Sequence, residues 1–219
     1  MGEVVLRCNR LTELESQLNR LEGVSVLHFS LLMTAILTLG VMIVYRHYTH
    51  NKSLFHFIIV TSFIFYILNV IRLVFFPLPI NQHYIELLKE GVNCGILTER
   101  RHNFQLFDFM KWDNLFHITT LGNFIMLMPL SFYLPILFTR LKWGIFKTIL
   151  VGFFISLTIE CLQLAYDLIT GYAYRGFNVD DLLMNTLGVM VGYLLIEMIQ
   201  MVYYLLSVII IKGLKRFRV

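Results

Sequence analysis

The fold is decided by residues 54–76, LFHFIIVTSFIFYILNVIRLVFF, in which apolar side chains dominate from end to end. A helix that crosses a bilayer needs about 20 mostly apolar residues, because the hydrocarbon core is about 30 Å thick and each helical residue rises about 1.5 Å. This stretch meets that requirement, and Pro77 and Pro79 directly after it are typical of a helix end. It therefore predicts a membrane-spanning helix.

Four further stretches pass the same test, at about residues 24–45, 115–138, 143–169 and 181–211. The chain is 58% hydrophobic and 15% charged, whereas soluble domains are about 45–50% apolar and about 25% charged. The first stretch has no small-residue cleavage site after it, so we expect a retained helix rather than a signal peptide. The last is longer than a straight span needs, which predicts tilt or protrusion. We predict an all-α polytopic membrane protein, a bundle of about five transmembrane helices.

The remaining segments are short, so the sequence predicts one domain. Residues 1–23 carry leucines at helical spacing, which predicts an amphipathic helix that lies at the membrane interface or makes a small coiled-coil contact. Two transmembrane helices follow in 24–76. Residues 77–114 form an extramembrane loop that we expect to contain an interfacial helix. A three-helix region then occupies 115–212, and a basic tail occupies 213–219.

The positive charge is explained by topology. The net charge is +4, but the basic residues cluster at helix ends, so we expect no nucleic-acid partner. The positive-inside rule favours a C-terminus inside the cell and an N-terminus outside, with the 77–114 and 170–180 loops outside. The prediction is thus a multi-pass protein of the cell membrane. Three widely spaced cysteines without a C-x-x-C motif indicate neither a disulfide framework nor a metal site, and no cofactor is expected.

A polar cluster joins the fourth and fifth predicted spans. Ionisable residues in a membrane are costly and usually face protein or water. The candidate pocket residues, some of which share a helix face at i, i+3 or i, i+4 spacing, are Arg72, Asn123, Glu160, Gln163, Arg175, Asp180, Asp181 and Asn185. Under a purely structural interpretation, these residues cap helix ends and form ion pairs or hydrogen bonds between helices. Taken as a cluster, they predict a functional polar pocket.

Glycine and proline residues are also predicted to shape the helices that carry this cluster. Gly188 and Gly192 follow Asn185 on one stripe, where they would let another helix approach closely. Pro129 predicts a kink in the third span. Arg72 either reaches lipid phosphates or pairs with Glu160 or Asp181.

Catalytic signatures are absent from the sequence. It contains no H-E-x-x-H, G-x-S-x-G or Walker A motif, and nothing identifies a nucleophile. Enzymatic activity is therefore left open.

The second half of the chain resembles the VanZ-like family of membrane proteins, which is named after an accessory teicoplanin-resistance protein. The resemblance covers roughly residues 115–200, and its most specific part is an Arg, a short gap, an Asp-Asp pair and Asn-x-x-Gly-x-x-x-Gly. The matching stretches are Gly122–Pro129, Ile159–Gln163 and Arg175–Gly192. One departure is Ser131, which stands where the family often has glycine.

This resemblance implies a cell-envelope protein of bacteria, mostly Gram-positive, in a family some of whose members confer tolerance to teicoplanin-type or lipid-tailed glycopeptides. No established reaction comes with it. Three hypotheses follow. The first is a non-enzymatic protein that lowers antibiotic access or binding at the outer leaflet through the polar pocket. The second is a membrane enzyme acting on a lipid or lipid-linked head group, and the third is a small transporter or flippase. The expected partners are membrane lipids and a lipid-tailed glycopeptide or other lipid-linked ligand.

Overall fold

The computed structural model of the protein describes residues 11–49, 53–98, 100–107 and 117–216. The side chains of Leu11 and of residues 211–216 are not described. Parts of all five predicted segments lie outside the described residues. They are positions 1–10 of the amphipathic segment, 50–52 of the two-helix segment, 99 and 108–114 of the extramembrane loop, 115–116 of the three-helix region and 217–219 of the basic tail.

Helices make up most of the described chain. In chain order they are α1 Leu11–Ser25, α2 Leu31–Tyr48, α3 Leu54–Phe75, α4 Gln82–Asn93, α5 Ile118–Met126, α6 Leu130–Leu137, α7 Ile145–Thr170 and α8 Val179–Arg216, with a short 3-10 helix at Thr139–Leu141. Two short strands, β1 Val26–Leu27 and β2 Leu78–Pro79, pair antiparallel, with Val26 opposite Pro79.

Five segments of the described chain are long and apolar enough to cross a membrane. They are Leu31–Tyr48, Leu54–Phe75, Ile118–Leu137, Ile145–Thr170 and Val179–Ile210. The third combines α5 and α6, which are separated by a short break that ends at Pro129. The prediction of an all-α membrane bundle with about five spans is confirmed.

The first span begins later than predicted. The sequence places its start near Val24, but the structure starts α2 at Leu31 after the Ser30 side chain accepts the N–H of Met33. The residues just before α2 form backbone hydrogen bonds with another segment instead. Val26 belongs to β1, and the carbonyl of Ser25 accepts the N–H groups of Ile80 and Asn81. Backbone pairing with the segment after α3 therefore shortens the hydrophobic run that is available to the helix.

The contacts of the chain divide it into two compact units. The first comprises Met1–Phe104 and Thr158–Val179, and the second comprises Gln105–Leu157 and Asp180–Val219. The boundary falls inside α7, which is long enough to contribute one part of its length to each unit.

The first unit contains a small core between its non-spanning helices. Leu14 and Leu18 of α1 pack with Tyr84 and Leu87 of α4 and with Val26 of β1. The leucine spacing in the N-terminal segment thus serves contact between helices. α4 itself occupies part of the loop in which the sequence predicts a helix.

One cysteine of this unit departs from the sequence-based expectation. Cys94, the residue that ends α4, is disulfide-bonded, while Cys161 is free. The expectation that the cysteines form no disulfide was therefore wrong. Spacing along the chain does not report how close two cysteines come in the folded protein.

Candidate functional site

The turn between α7 and α8, residues 171–178, is held by one buried carboxylate. Asp167 is only 3% exposed. Its Oδ1 accepts the backbone N–H groups of Tyr174 and Arg175 at 3.0 and 3.5 Å, and its Oδ2 accepts that of Gly176 at 2.9 Å. Three backbone donors thus converge on one side chain, which makes the turn a defined structure rather than a loose connection.

Two further polar side chains share a face of α7 with Asp167. Glu160 and Gln163 lie seven and four positions earlier, a spacing that returns to the same face of a helix. Glu160 is buried, and its Oε2 accepts the N–H of Asn178 at 2.9 Å. Gln163 donates to the carbonyl of Val74 at 3.0 Å. This face of α7 therefore satisfies backbone groups of the turn and of α3.

Arg175 places a guanidinium inside this unit. Its Nη2 donates to the carbonyl of Phe76 at 2.6 Å, and its Cζ lies 5.4 Å from the centre of the Tyr174 ring. Its buried Nε has no hydrogen-bond partner. Burial lowers the pKa of Arg175 from its ordinary value, although a guanidinium stays charged in proteins.

A basic segment lies against the turn. Phe177 donates its N–H to Nδ1 of His102 at 2.9 Å, and Asn103 donates its N–H to the carbonyl of Phe177 at 2.7 Å. Gly176 has φ +72°, and a Cβ there would come within 3.1 Å of the Arg101 carbonyl oxygen and 3.3 Å of the Arg100 Cβ. The two arginines of this segment therefore run directly beside the turn.

A lysine caps the end of α7. Lys89 of α4 donates from its Nζ to the carbonyl of Thr170 at 2.6 Å. A cation at a helix C-terminus satisfies a free carbonyl and matches the helix dipole. α4 and the turn are thus joined directly within the first unit.

The second unit holds the other predicted polar residues. The buried Asp180 lies in the first turn of α8, where its Oδ1 accepts the N–H of Phe107 at 2.7 Å. Asp181 beside it is half-buried. Asn185 is 1% exposed and donates to Ser156 Oγ of α7 at 3.0 Å, while its Oδ1 is buried without a partner.

The glycines of α8 lie at tight contacts within the same unit. A Cβ on Gly188 would lie 1.8 Å from the Phe124 carbonyl oxygen, and one on Gly192 would lie 2.5 Å from Ser131 Oγ. Both distances are shorter than atoms can approach, so α8 passes directly against α5 and α6 at these positions. Pro129 is the last residue of the break between α5 and α6 and the N-cap residue of α6.

Two of the predicted pocket residues make only local contacts or none. Arg72 donates from its Nε to Asn69 Oδ1 of its own helix at 3.1 Å. Its pairing with Glu160 or Asp181, or with lipid phosphates, stays a prediction. Asn123 on α5 is half-buried, and its side chain makes no hydrogen bond to any described residue.

The predicted residues fall into the two units. Arg72, Glu160, Gln163 and Arg175 belong to the first unit, and Asn123, Asp180, Asp181 and Asn185 belong to the second. The sequence analysis missed Asp167, Lys89 and Arg100. An acidic residue one turn before the end of an apolar helix, followed by a glycine-bounded turn, is the signal that could have identified Asp167.

A cavity of about 430 Å³ also lies in the first unit, between α1 and α4. Acidic and amide groups lie on its α1 side and apolar groups on the other; its lining is Glu15, Leu18, Asn19, Glu22, Tyr84, Leu88, Ile96 and Leu97. In the part of the chain that the structure describes, no group of three or more His, Cys, Asp or Glu side chains could hold a metal ion.

Fold and site together define a polytopic α-helical membrane protein with a polar, arginine-containing turn between two spans. The chain belongs to the VanZ/LLP1 family, whose family model matches residues 63–200. The match begins well before residue 115, where the resemblance noted from the sequence starts, and so includes most of α3 and all of α4. Neither the curated proteins nor the solved structures contain a match to this chain.

Proposed function

We propose that this protein is a non-enzymatic component of the cell envelope that modulates susceptibility to glycopeptide and lipoglycopeptide antibiotics such as teicoplanin. The polar turn 171–178 acts as its recognition site at the outer face of the membrane. Membership of the VanZ/LLP1 family supports the envelope role. The observation that carries the site is the half-buried guanidinium of Arg175, held in a turn that Asp167 organises.

The disulfide of Cys94 supports an outward orientation of this site. Disulfides persist in oxidising compartments and are rare in the cytosol. Cys94 ends α4, and Lys89 of the same helix is bonded to the carbonyl of Thr170 at the start of the turn. A cell-surface position of Cys94 therefore brings the turn to that side too. Five spans then leave the C-terminus inside the cell, in agreement with the positive-inside rule.

At the outer face, the turn meets lipids and lipid-tailed molecules at head-group depth. It joins the end of one predicted span, Thr170, to the start of the next, Val179. A lipid-tailed glycopeptide or a lipid-linked cell-wall precursor presents its polar part at the same level. Binding there would lower the amount of antibiotic that reaches its target, without any chemical change to either molecule.

Two of the carboxylates predicted as pocket residues favour a structural role over catalysis. Glu160 accepts the N–H of Asn178, and Asp180 accepts that of Phe107. Such carboxylates organise backbone, and their engaged oxygens are poorly placed to exchange protons with a substrate. The alternative of a membrane enzyme acting on a lipid or lipid-linked head group therefore gains no support from the geometry, and neither does a flippase.

The test is a tolerance assay in a strain that lacks the protein. The native chain, Arg175→Ala and the control Arg140→Ala are each restored at equal membrane abundance, and the minimum inhibitory concentration of teicoplanin is measured. Arg140 precedes α7 whereas Arg175 follows it, so the control removes an arginine from the other end of the span. We expect the native chain and Arg140→Ala to restore tolerance and Arg175→Ala to fail. Full tolerance with Arg175→Ala contradicts the proposed site.

A further inference from the structure

One N–H group of the Arg175 guanidinium is buried without a hydrogen-bond acceptor. A guanidinium carries five N–H donors in a rigid fork. The Phe76 carbonyl takes one of them, and the buried Nε has no partner. Buried polar groups in folded proteins nearly always have a hydrogen-bond partner, because an unpaired donor loses its hydration without compensation. The orphaned Nε shows that the described protein groups do not complete the hydrogen bonding of this guanidinium.

An anionic ligand suits this site, because the described residues leave the guanidinium without an ion-paired carboxylate. Among the residues that the structure describes, no carboxylate forms an ion pair with Arg175 or Arg100. The nearby Asp167 already accepts three backbone N–H groups. A guanidinium in such surroundings favours a carboxylate or phosphate, whose oxygens match the fork in spacing.

Arg100 supplies a second cation at the same place. Its Cβ lies 3.3 Å from where a Cβ on Gly176 would stand, so the base of its side chain lies beside the residue that follows Arg175. Both guanidiniums lower the pKa of Tyr174 while burial raises it, which places both charges near that phenol. The Glu22 carboxylate raises the same pKa, but its effect is the smallest of the four.

The two arginines have complementary properties. Arg175 is half-buried and is oriented by the Tyr174 ring and the Phe76 carbonyl. Arg100 is exposed. One rigid inner donor and one movable outer donor can close around a group with several oxygens. Because the turn joins two candidate membrane spans, we expect this pair at the depth of lipid phosphates.

We propose that Arg175 and Arg100 bind the phosphate of an anionic lipid head group. The proposal rests on the proposed function, since it names the ligand class of the same site. A phosphate diester with a free negative charge, as in phosphatidylglycerol, has several oxygens that can accept N–H groups from both guanidiniums. A zwitterionic head group carries a cation beside its phosphate, which the two arginines repel.

The test measures lipid binding by the purified full-length protein in detergent. Native mass spectrometry counts bound lipid during titration with phosphatidylglycerol or phosphatidylcholine, and calorimetry records binding of soluble glycerol phosphate. The variants are Arg100→Ala and Arg175→Lys, with Arg140→Ala as the control. Arg100 is exposed, so its variant is expected to fold, and circular dichroism verifies each protein.

We expect phosphatidylglycerol to bind in clear preference to phosphatidylcholine. Arg100→Ala and Arg175→Lys should each weaken it about tenfold, the usual loss for one charge-assisted hydrogen bond, and Arg140→Ala should leave it unchanged. Equal weakening by all three variants would mean non-specific charge attraction and overturn the proposal, as would no weakening by Arg100→Ala. Tight, arginine-dependent binding of glycerol phosphate without lipid preference would overturn the assignment to a lipid. Weakened lipid binding with intact teicoplanin tolerance leaves the lipid site standing and contradicts only the proposed function.

Discussion

Asp167 and Gly176 are joined by a 2.9 Å hydrogen bond from the glycine N–H to the aspartate Oδ2, across nine positions of the chain. The other oxygen of the same carboxylate accepts the N–H groups of Tyr174 and Arg175. The backbone path of the turn at Arg175 is therefore set from α7, by a residue that does not itself belong to the turn.

Replacing that carboxylate tests whether it organises the turn. Asp167→Asn puts an amide donor where one oxygen now accepts, so at least one backbone N–H loses its acceptor. We expect a destabilisation of about 1–3 kcal/mol, seen as a lower midpoint of thermal denaturation in detergent. Glu86→Gln is the matched control, because Glu86 is exposed on α4. Equal midpoints for Asp167→Asn and the native chain would mean that the turn does not depend on this carboxylate.

Close packing of α8 is tested at Gly188. In Gly188→Ala the new methyl group would stand 1.8 Å from the Phe124 carbonyl oxygen. Backbone must move to relieve this overlap, which costs about 1–3 kcal/mol or more. We expect a low yield of monodisperse protein and a reduced denaturation midpoint. Gly40→Ala provides the comparison, since nothing lies within 4 Å of its added Cβ; similar behaviour of both variants would contradict the packing described here.

Alkaline pH should weaken the contact between α1 and α4. Burial raises the pKa of Tyr84 above its ordinary value of 10.0, and Glu22 raises it further. The folded protein therefore favours the neutral phenol. The stability that this gives is fully present below pH 10 and is lost as the pH rises through the folded-state pKa.

The check compares Tyr84→Phe with the native chain between pH 8 and pH 11. The phenylalanine variant should lose less stability over this range, because it has no phenol to ionise. Tyr48→Phe, at a side chain that is 81% exposed, should follow the native curve. Identical pH dependence in Tyr84→Phe and the native chain would refute the assignment of this loss to Tyr84.

The oxidation state of Cys94 can be read directly in cells. With Cys161→Ser as background, we expect a maleimide reagent applied to denatured protein to label Cys94 only after reduction. A disulfide in a small domain adds about 2–5 kcal/mol, so reduction should also lower the denaturation midpoint. Labelling of Cys94 without prior reduction would remove the argument that α4 lies outside the cell.

The spans were predictable because a bilayer imposes a minimum apolar length, which stretches such as 54–76 meet on composition alone. The start of α2 was not predictable from composition. It depends on the pairing of Val26 with Pro79, two residues far apart in the chain. The same limit applies to the site. Arg175 and Glu160 stand out as charges in apolar surroundings, whereas the role of Asp167 appears only once the turn folds back onto α7. Arg100 lies in a polar loop, where nothing in its sequence context distinguishes it.

The central claim is that the turn 171–178 faces the outside of the cell. It is tested most directly by Asn178→Cys and Thr139→Cys, made separately in a chain that carries Cys161→Ser and retains Cys94. Intact cells are treated with a membrane-impermeant thiol reagent, and the unsubstituted background chain gives the blank. If the turn faces outward, we expect labelling at position 178 in intact cells and labelling at position 139 only after the cells are opened. Labelling at position 139 but not at 178 in intact cells would contradict it, since the arginines of the turn would then face the cytoplasm.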